Sequence, residues 1–272
     1  MRALLVSPLG FLVGVSLGAF GAGGSILAVP VLVYAAGQGA KAATATSLLL
    51  VGSAALVGMG MHHRVGRVRV GTGVVFGLAG IGGSIAGTAL NRRLDPDALL
   101  LGFSVLIFVA AWRMVVGCPS CTQIGEDRVL GASPTASSRV RAGLDIRGTT
   151  VAKVLIAGTA VGFLTGLFGV GGGFVIVPAL TLVLGLSMPE AIGTSLLVIA
   201  INSAVALAGR LGTSAIDWNV AVPFTLAAIL GVLVGKRIAD RLDAQRSLNW
   251  FAALLVGVAI YTAFQAGSKL LG

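Results

Sequence analysis

The chain has 272 residues, of which 56% are hydrophobic and only 10% are charged, and its mean hydropathy is +1.01. Because soluble globular proteins carry roughly 25% charged residues, this composition excludes a soluble domain. The net charge of +10 comes from 19 lysines and arginines, most of them in short connections between apolar stretches of membrane-spanning length. In that position they indicate membrane topology, so we expect a lipid bilayer and no nucleic acid as a partner.

The sequence repeats itself at an offset of 148 residues. Residues 20–24 (FGAGG) align with 168–172 (FGVGG), 46–49 align with 194–197 (TSLL in both), and no gap is needed between Gly14 and Arg93. We therefore divide the chain into a first transmembrane repeat at 1–116, a polar linker at 117–149 and a second transmembrane repeat at 150–272. Two such apolar halves are typical of secondary transporters, whose substrate site lies where the halves meet.

Both halves predict the same elements in chain order. Apolar helices at 3–20 and 150–168 end at glycine-rich turns, and shorter apolar segments at 25–37 and 173–185 follow, each with one proline. The full spans that come next are predicted at 42–61, 70–90 and 97–116, and at 190–209, 218–238 and 247–266. The fold class is thus an all-α polytopic membrane protein with two pseudo-symmetric halves, each with four full spans and one short half-helix.

The N-terminus has the composition of a signal peptide, with Arg2 followed by an apolar run and small residues. Residues 14–24, however, match 162–172 in the interior of the chain. Cleavage would remove one copy of a duplicated element, so we expect a retained helix.

The short segments predict how the halves are oriented. About 13 residues at 1.5 Å each reach only about 20 Å, which is too little to cross a bilayer. A hairpin that returns on a half-helix makes each half cross an odd number of times, which predicts inverted halves. Under this topology, one side holds 13 positive residues and the other 6. The positive-inside rule then assigns 62–69, 117–149 and 236–246 to the cytoplasm of a bacterial inner membrane and both termini to the outside.

The glycine turns precede the half-helices, and this order predicts an anion site. Helix N-termini carry unpaired N–H groups and the positive end of the macrodipole, and glycine lets the backbone approach a ligand. A small oxyanion would satisfy these N–H groups near the middle of the membrane. Alternatively, the glycines only permit tight helix crossing. The candidate binding residues are Gly23, Gly24, Ser25, Gly171, Gly172 and Gly173, with Pro30 and Pro178 as hinges.

Duplicated hydroxyl pairs are the second candidate feature. Thr46-Ser47 and Thr194-Ser195 occupy the span after each half-helix and could donate hydrogen bonds to an anion. Their alternative role is back-bonding to a carbonyl one turn earlier. Asn202 has no polar counterpart in the first half, and we interpret it as either a ligand contact or a hydrogen bond between helices.

Other polar residues support no catalytic, metal or cofactor site. No span has an ionisable residue near its centre, so the coupling ion stays open. His62 and His63 beside Arg64 are candidates for a pH-sensitive gate or ordinary interfacial residues. Cys118 and Cys121 form one CxxC motif without a second pair, which leaves a dithiol switch, a thiol contact to ligand or an incidental loop pair. Because Walker A, HExxH and GxSxG motifs are also missing, we expect no enzyme.

The segments GAGGSILAVP at 21–30 and GVGGGFVIVP at 169–178 are each followed, 16 residues after the proline, by a Thr-Ser pair. They resemble the TauE/SafE sulfite-exporter family of bacterial membrane permeases, over nearly the whole chain except 117–149. The resemblance implies transport of sulfite, sulfoacetate or other organosulfonates, and we expect an exporter that works by alternating access. The alternatives are a non-transporting partner subunit and a metal-ion permease that uses Cys118 and Cys121. The sequence leaves a homo-oligomer open.

Overall fold

The computed structural model of the protein describes a set of helical segments and the connections next to them. The described residues are 2–21, 24, 28–29, 31–38, 40–91, 102, 105–106, 108–109, 112, 148–168, 173–208, 217–241, 249–251, 253 and 256–257. Nearly all of the 117–149 linker, and most of the predicted spans at 97–116 and 247–266, lie outside these residues.

The described residues form helices, which confirms the all-α part of the predicted fold class. In chain order they are α1 (Arg2–Phe20), a π-helical turn (Val31–Ala35), α2 (Ala40–Arg64), α3 (Val70–Asn91), α4 (Gly148–Phe168), α5 (Gly173–Leu182), α6 (Met188–Ala208) and α7 (Trp218–Ala239). The regular structure in this part of the chain contains no β-strand.

Four of these helices are long and apolar enough to cross a membrane: Ala42–Arg64, Val70–Leu90, Met188–Ala208 and Trp218–Ala239. Shorter apolar helices occupy Ser7–Phe20 and Val151–Leu167. Large apolar side chains remain exposed on them, among them Ile85 at 68% and Ile156 at 70%. Such exposure is unfavourable in water and favourable against lipid, so the chain is a membrane protein.

The chain divides into two compact units that do not coincide with the predicted repeats. Unit 1 comprises residues 1–68 and 192–243, and unit 2 comprises 69–191 and 244–272. Each unit therefore combines segments from both halves of the sequence.

In unit 1, glycines bring α1 and α7 into backbone contact. A Cβ atom on Gly14 would fall on the carbonyl oxygen of Ala228, and one on Gly231 would fall on that of Phe11. Gly10 meets Phe224 and Gly18 meets Val232, so the two helices run in the same direction. Close approach of this kind is how small residues pack membrane helices in the absence of a hydrophobic driving force.

In unit 2, α4 and α3 make contacts equivalent to those of α1 and α7, with the residue numbers shifted by the repeat offset of 148. A Cβ atom on Gly162 would fall on the carbonyl oxygen of Gly80, and one on Gly83 would fall on that of Thr159. Gly158 meets Phe76 and Gly166 meets Ser84, so this pair is also parallel. The helix that begins one half of the sequence thus packs, in each unit, against a helix from the other half.

The equivalent helices α2 and α6 pack against each other in opposite directions. As residue numbers rise along α2 they fall along α6, in the contacts Gly52 with Ser203, Gly58 with Leu196 and His62 with Gly193. By contrast, α2 runs in the same direction as α7, since Gly58 also meets Val232 and Arg67, just after α2, bonds to Asp240. Consequently α1, α2 and α7 are parallel, and the chain must turn back between α1 and α2.

The two short segments differ in helix type, but both end at a glycine. Residues 173–182 form the predicted half-helix, α5, with Pro178 inside it. In the first half, by contrast, residues 31–35 form a π-helical turn, with Ala36 N–H donating to Val31 O at 3.2 Å. Both segments end at a glycine with positive φ, Gly37 and Gly185, a conformation in which glycine carries no Cβ penalty.

Candidate functional site

The first glycine turn lies against the second hydroxyl pair. Gly21 has φ +75° and its N–H donates to Leu17 O at 2.8 Å, which closes α1. A Cβ atom on Gly21 would lie 2.6 Å from Ser195 Oγ and 3.0 Å from Ile192 Cα. Unit 1 therefore brings together one predicted turn from the first half and one predicted hydroxyl pair from the second.

Gly24 packs back onto α1. A Cβ atom there would fall on the carbonyl oxygen of Val13 and lie 2.9 Å from Leu17 Cβ. Packing is therefore sufficient to require glycine at this position. Gly173 is buried at the start of α5, and Pro178 is buried within the same helix. The remaining predicted residues of the turns lie outside the described residues: Gly23, Ser25, Pro30, Gly171 and Gly172.

The four predicted hydroxyl residues are all buried, but they differ in their hydrogen bonds. Ser47 Oγ donates to Thr44 O at 2.9 Å and Ser195 Oγ to Ile192 O at 2.8 Å, which is the back-bonding alternative. Thr194 is 0% exposed. Thr46 is also 0% exposed, and its Oγ1 has no hydrogen-bond partner. A hydroxyl in that state carries a desolvation penalty of about 1–3 kcal/mol, which a bound acceptor would remove.

Asn202 also has an unpartnered atom, its buried Oδ1. This oxygen accepts hydrogen bonds, so it suits a donor on a ligand or on a neighbouring helix and not the charged oxygens of an anion.

Two further buried hydroxyls without partners, Ser16 Oγ on α1 and Thr225 Oγ1 on α7, were missed by sequence reasoning. Their positions in the other half hold Leu164 and Gly77, so a search for duplicated residues could not find them. A lone hydroxyl within an apolar span was the available signal.

A charged cluster lies in unit 1 where α2 and α7 end. Arg67 Nη1 lies 2.5 Å from Asp240 Oδ1, and Lys236 Nζ lies 2.6 Å from Asp240 Oδ2. Partial burial acts to raise the pKa of Asp240, but hydrogen bonds from Lys236 and Arg67, together with their positive charges, hold it below the ordinary aspartate value. Asp240 is therefore a carboxylate at neutral pH.

In unit 2, Glu190 links a helix start to a loop. Its Oε1 accepts from Arg69 Nη2 at 2.9 Å, and its Oε2 accepts from Ser187 Oγ at 3.2 Å and from Ser187 N–H at 3.4 Å. The bond from Ser187 N–H to the glutamate three residues later is the glutamate half of a capping box at the N-terminus of α6, so Glu190 has a structural role.

No group of three or more His, Cys, Asp or Glu side chains that could hold a metal ion occurs in the described part of the chain. Cys118 and Cys121, the residues of the CxxC motif, lie outside it.

Similarity to known proteins covers almost the whole chain. The family model "Sulfite exporter TauE/SafE" matches residues 6–262. A probable membrane transporter protein of Xylella fastidiosa is 30% identical over 96% of this chain and 95% of its own length. The probable membrane transporter protein YdhB of Bacillus subtilis is 25% identical over 87% and 90%. No solved structure gives a significant match. With its apolar helices and duplicated glycine motifs, the chain belongs to the TauE/SafE sulfite exporter family of membrane transporters.

Proposed function

We propose that this protein is a secondary transporter that exports a small sulfur-containing anion, sulfite or an organosulfonate, across the bacterial inner membrane. It works by alternating access between two inverted halves, and the anion binds where segments of both halves meet. The family supports the anion class, and the packing of unit 1 supports the site.

The orientation of the helices supports inverted halves. The equivalent helices α2 and α6 are antiparallel, as an inverted repeat requires. The parallel pair α1 and α2 needs a returning segment between them, and the contact of Gly24 with Val13 fits such a return. The paired contacts of α1 with α7 and of α4 with α3 repeat at offset 148, which fits one packing scheme used twice.

The observation that carries the proposed site is the Thr46 hydroxyl. It is fully buried and unpartnered on α2. Thr46 precedes Gly58, which meets Leu196, by about 18 Å along the helix, so it is a binding position apart from the contact of the Gly21 turn with Ser195. A fully buried hydroxyl lacks bulk water and donates readily to a charged oxygen, and such a charge-assisted hydrogen bond contributes about 1.5–3 kcal/mol.

The test is sulfite flux in proteoliposomes containing purified full-length protein with Thr46→Val, a replacement of nearly the same shape. We expect the rate at sub-saturating sulfite to fall about tenfold or more, since one charge-assisted hydrogen bond is lost. The matched control is Ser53→Ala on the same helix, because Ser53 Oγ already bonds to the carbonyls of Leu49 and Leu50. Ser53→Ala should keep the wild-type rate.

Two results would contradict the proposal. If Thr46→Val transported sulfite at the wild-type rate, Thr46 would not be part of the binding site. Absence of sulfite and sulfoacetate flux from the wild-type protein, in either direction, would refute the transport function itself and favour a non-transporting partner subunit.

A further inference from the structure

Two positively charged side chains lie against one carboxylate where α2 and α7 end. The Asp240 carboxylate is held by Arg67 and Lys236, whose side chains are 33% and 14% exposed. Two cations thus share one anion, and the cluster keeps an excess of positive charge. One carboxylate cannot neutralise both cations, so the cluster retains an attraction for a further or a replacing anion.

His62 adds unused hydrogen-bonding capacity to this cluster. It is 1% exposed, and neither Nδ1 nor Nε2 has a hydrogen-bond partner. It lies next to Arg67, whose backbone N–H donates to His62 O at 3.0 Å. From α6, the uncharged Gly193 packs against it. An imidazole N–H without an acceptor is costly in such a place, and an anion bound among the cations would supply the acceptor.

The cluster is not part of the duplicated scaffold. At the equivalent positions of the other half, His62 corresponds to Arg210, Arg67 to Ala215, Lys236 to Thr88 and Asp240 to Arg92. The glycines at the helix contacts have equivalent contacts in both halves, whereas these four residues have no counterpart of the same type. Since the halves are proposed to be inverted, the cluster belongs to one side of the membrane only, the side that the positive-inside rule assigns to the cytoplasm.

We propose that His62, Arg67 and Lys236 form a second anion-binding site at the cytoplasmic mouth, in which the Asp240 carboxylate acts as a tethered competitor. An oxyanion such as sulfite displaces Asp240 from Arg67 and Lys236 and accepts a hydrogen bond from His62. This proposal rests on the transport of small oxyanions proposed above, and it names an entry site distinct from Thr46.

The experiment measures the sulfite concentration that gives half of the maximal thermal shift, with full-length protein in detergent at constant ionic strength. All variants carry Thr46→Val, so that the site within the membrane is impaired. Adding Asp240→Asn should lower this concentration about fivefold, because the competing carboxylate is gone. Adding Lys236→Gln should raise it about fivefold. The matched control is Asp217→Asn at the other end of α7, where the carboxylate accepts from Asn219 N–H; it should change nothing.

Each outcome decides something. An unchanged sulfite response with Asp240→Asn or with Lys236→Gln overturns the mouth site, and if one of the two variants does not fold, the other gives the result. Equal effects of Asp240→Asn and Asp217→Asn also overturn it, because they indicate a general charge effect. A stronger response with Asp240→Asn, in a protein whose wild type shows no flux, supports the mouth site and refutes the transport function.

Discussion

Thr46 and Ser47 are neighbours on α2, and the acceptor available to each determines its chemistry. Ser47 reaches a carbonyl one turn earlier, so its donor is used within the helix. Thr46 is also buried and its hydroxyl has no acceptor, which is why we propose it as a donor to the transported anion. The duplicated Thr-Ser pairs were visible in the sequence, but the division of roles within each pair depends on side-chain rotamers and neighbouring backbone.

Asp240 leads to a pH-dependent prediction at the residue scale. Its pKa is below that of an unfolded-state aspartate, about 3.9. Its contribution to stability is therefore fully present above that unfolded value and is lost as the pH falls through the folded value. We expect Asp240→Asn to lower the unfolding temperature at pH 6–8 and to have a shrinking effect below about pH 4, measured by thermal denaturation. The effect should be small, because these pairs are partly exposed. A difference that grows with acidification would contradict this assignment.

At the scale of the elements, glycine decides which helices associate. Gly14 on α1 and Gly162 on α4 are repeat equivalents, and a Cβ atom on either would fall on a carbonyl oxygen of the facing helix. Backbone cannot move aside as a flexible side chain does, so each contact requires glycine.

We therefore expect Gly14→Ala and Gly162→Ala to destabilise the protein similarly, each by about 1–3 kcal/mol, measured by unfolding of purified protein in detergent. The matched controls are Gly60→Ala on α2 and Gly82→Ala on α3, where nothing lies within 4 Å of the new methyl group. They should be neutral, or stabilising by up to about 1 kcal/mol, because alanine favours a helix. Destabilisation by the controls alone would show that helix contacts do not explain the role of these glycines.

At the scale of the whole molecule, each unit joins the beginning of one half of the sequence to the later helices of the other half. In unit 1, α1 and α2 come from the first half and α6 and α7 from the second. Neither half buries its glycine faces alone, so the halves are expected to fold and function together.

Helix direction in unit 1 gives a topological prediction. Since α2 and α7 are parallel, Arg64 and Arg237 lie at the same end and Asp217 at the other. In a background with Cys118→Ser and Cys121→Ser, single cysteines at these three positions are tested with a membrane-impermeant thiol reagent. Cysteines at 64 and 237 should react from the cytoplasmic side and the cysteine at 217 from the outside. Labelling of 64 and 237 from opposite sides would contradict the parallel arrangement.

The sequence by itself determined the membrane class, the family resemblance and the helices. The helices predicted at 3–20, 150–168 and 218–238 occupy Arg2–Phe20, Gly148–Phe168 and Trp218–Ala239, because long apolar runs and their polar ends mark spans directly. The half-helix expected at 25–37 differs, since its described part contains a π-helical turn.

Only the tertiary structure decided which helices pair, which hydroxyl lacks an acceptor and which charges meet. Spans that are apolar on every face do not reveal in the sequence which face meets protein and which meets lipid. The pairing of α1 with α7 depends instead on where glycine allows two backbones to touch, and the parallel packing of α2 and α7 brings Arg67 to Asp240, 173 residues away in the sequence.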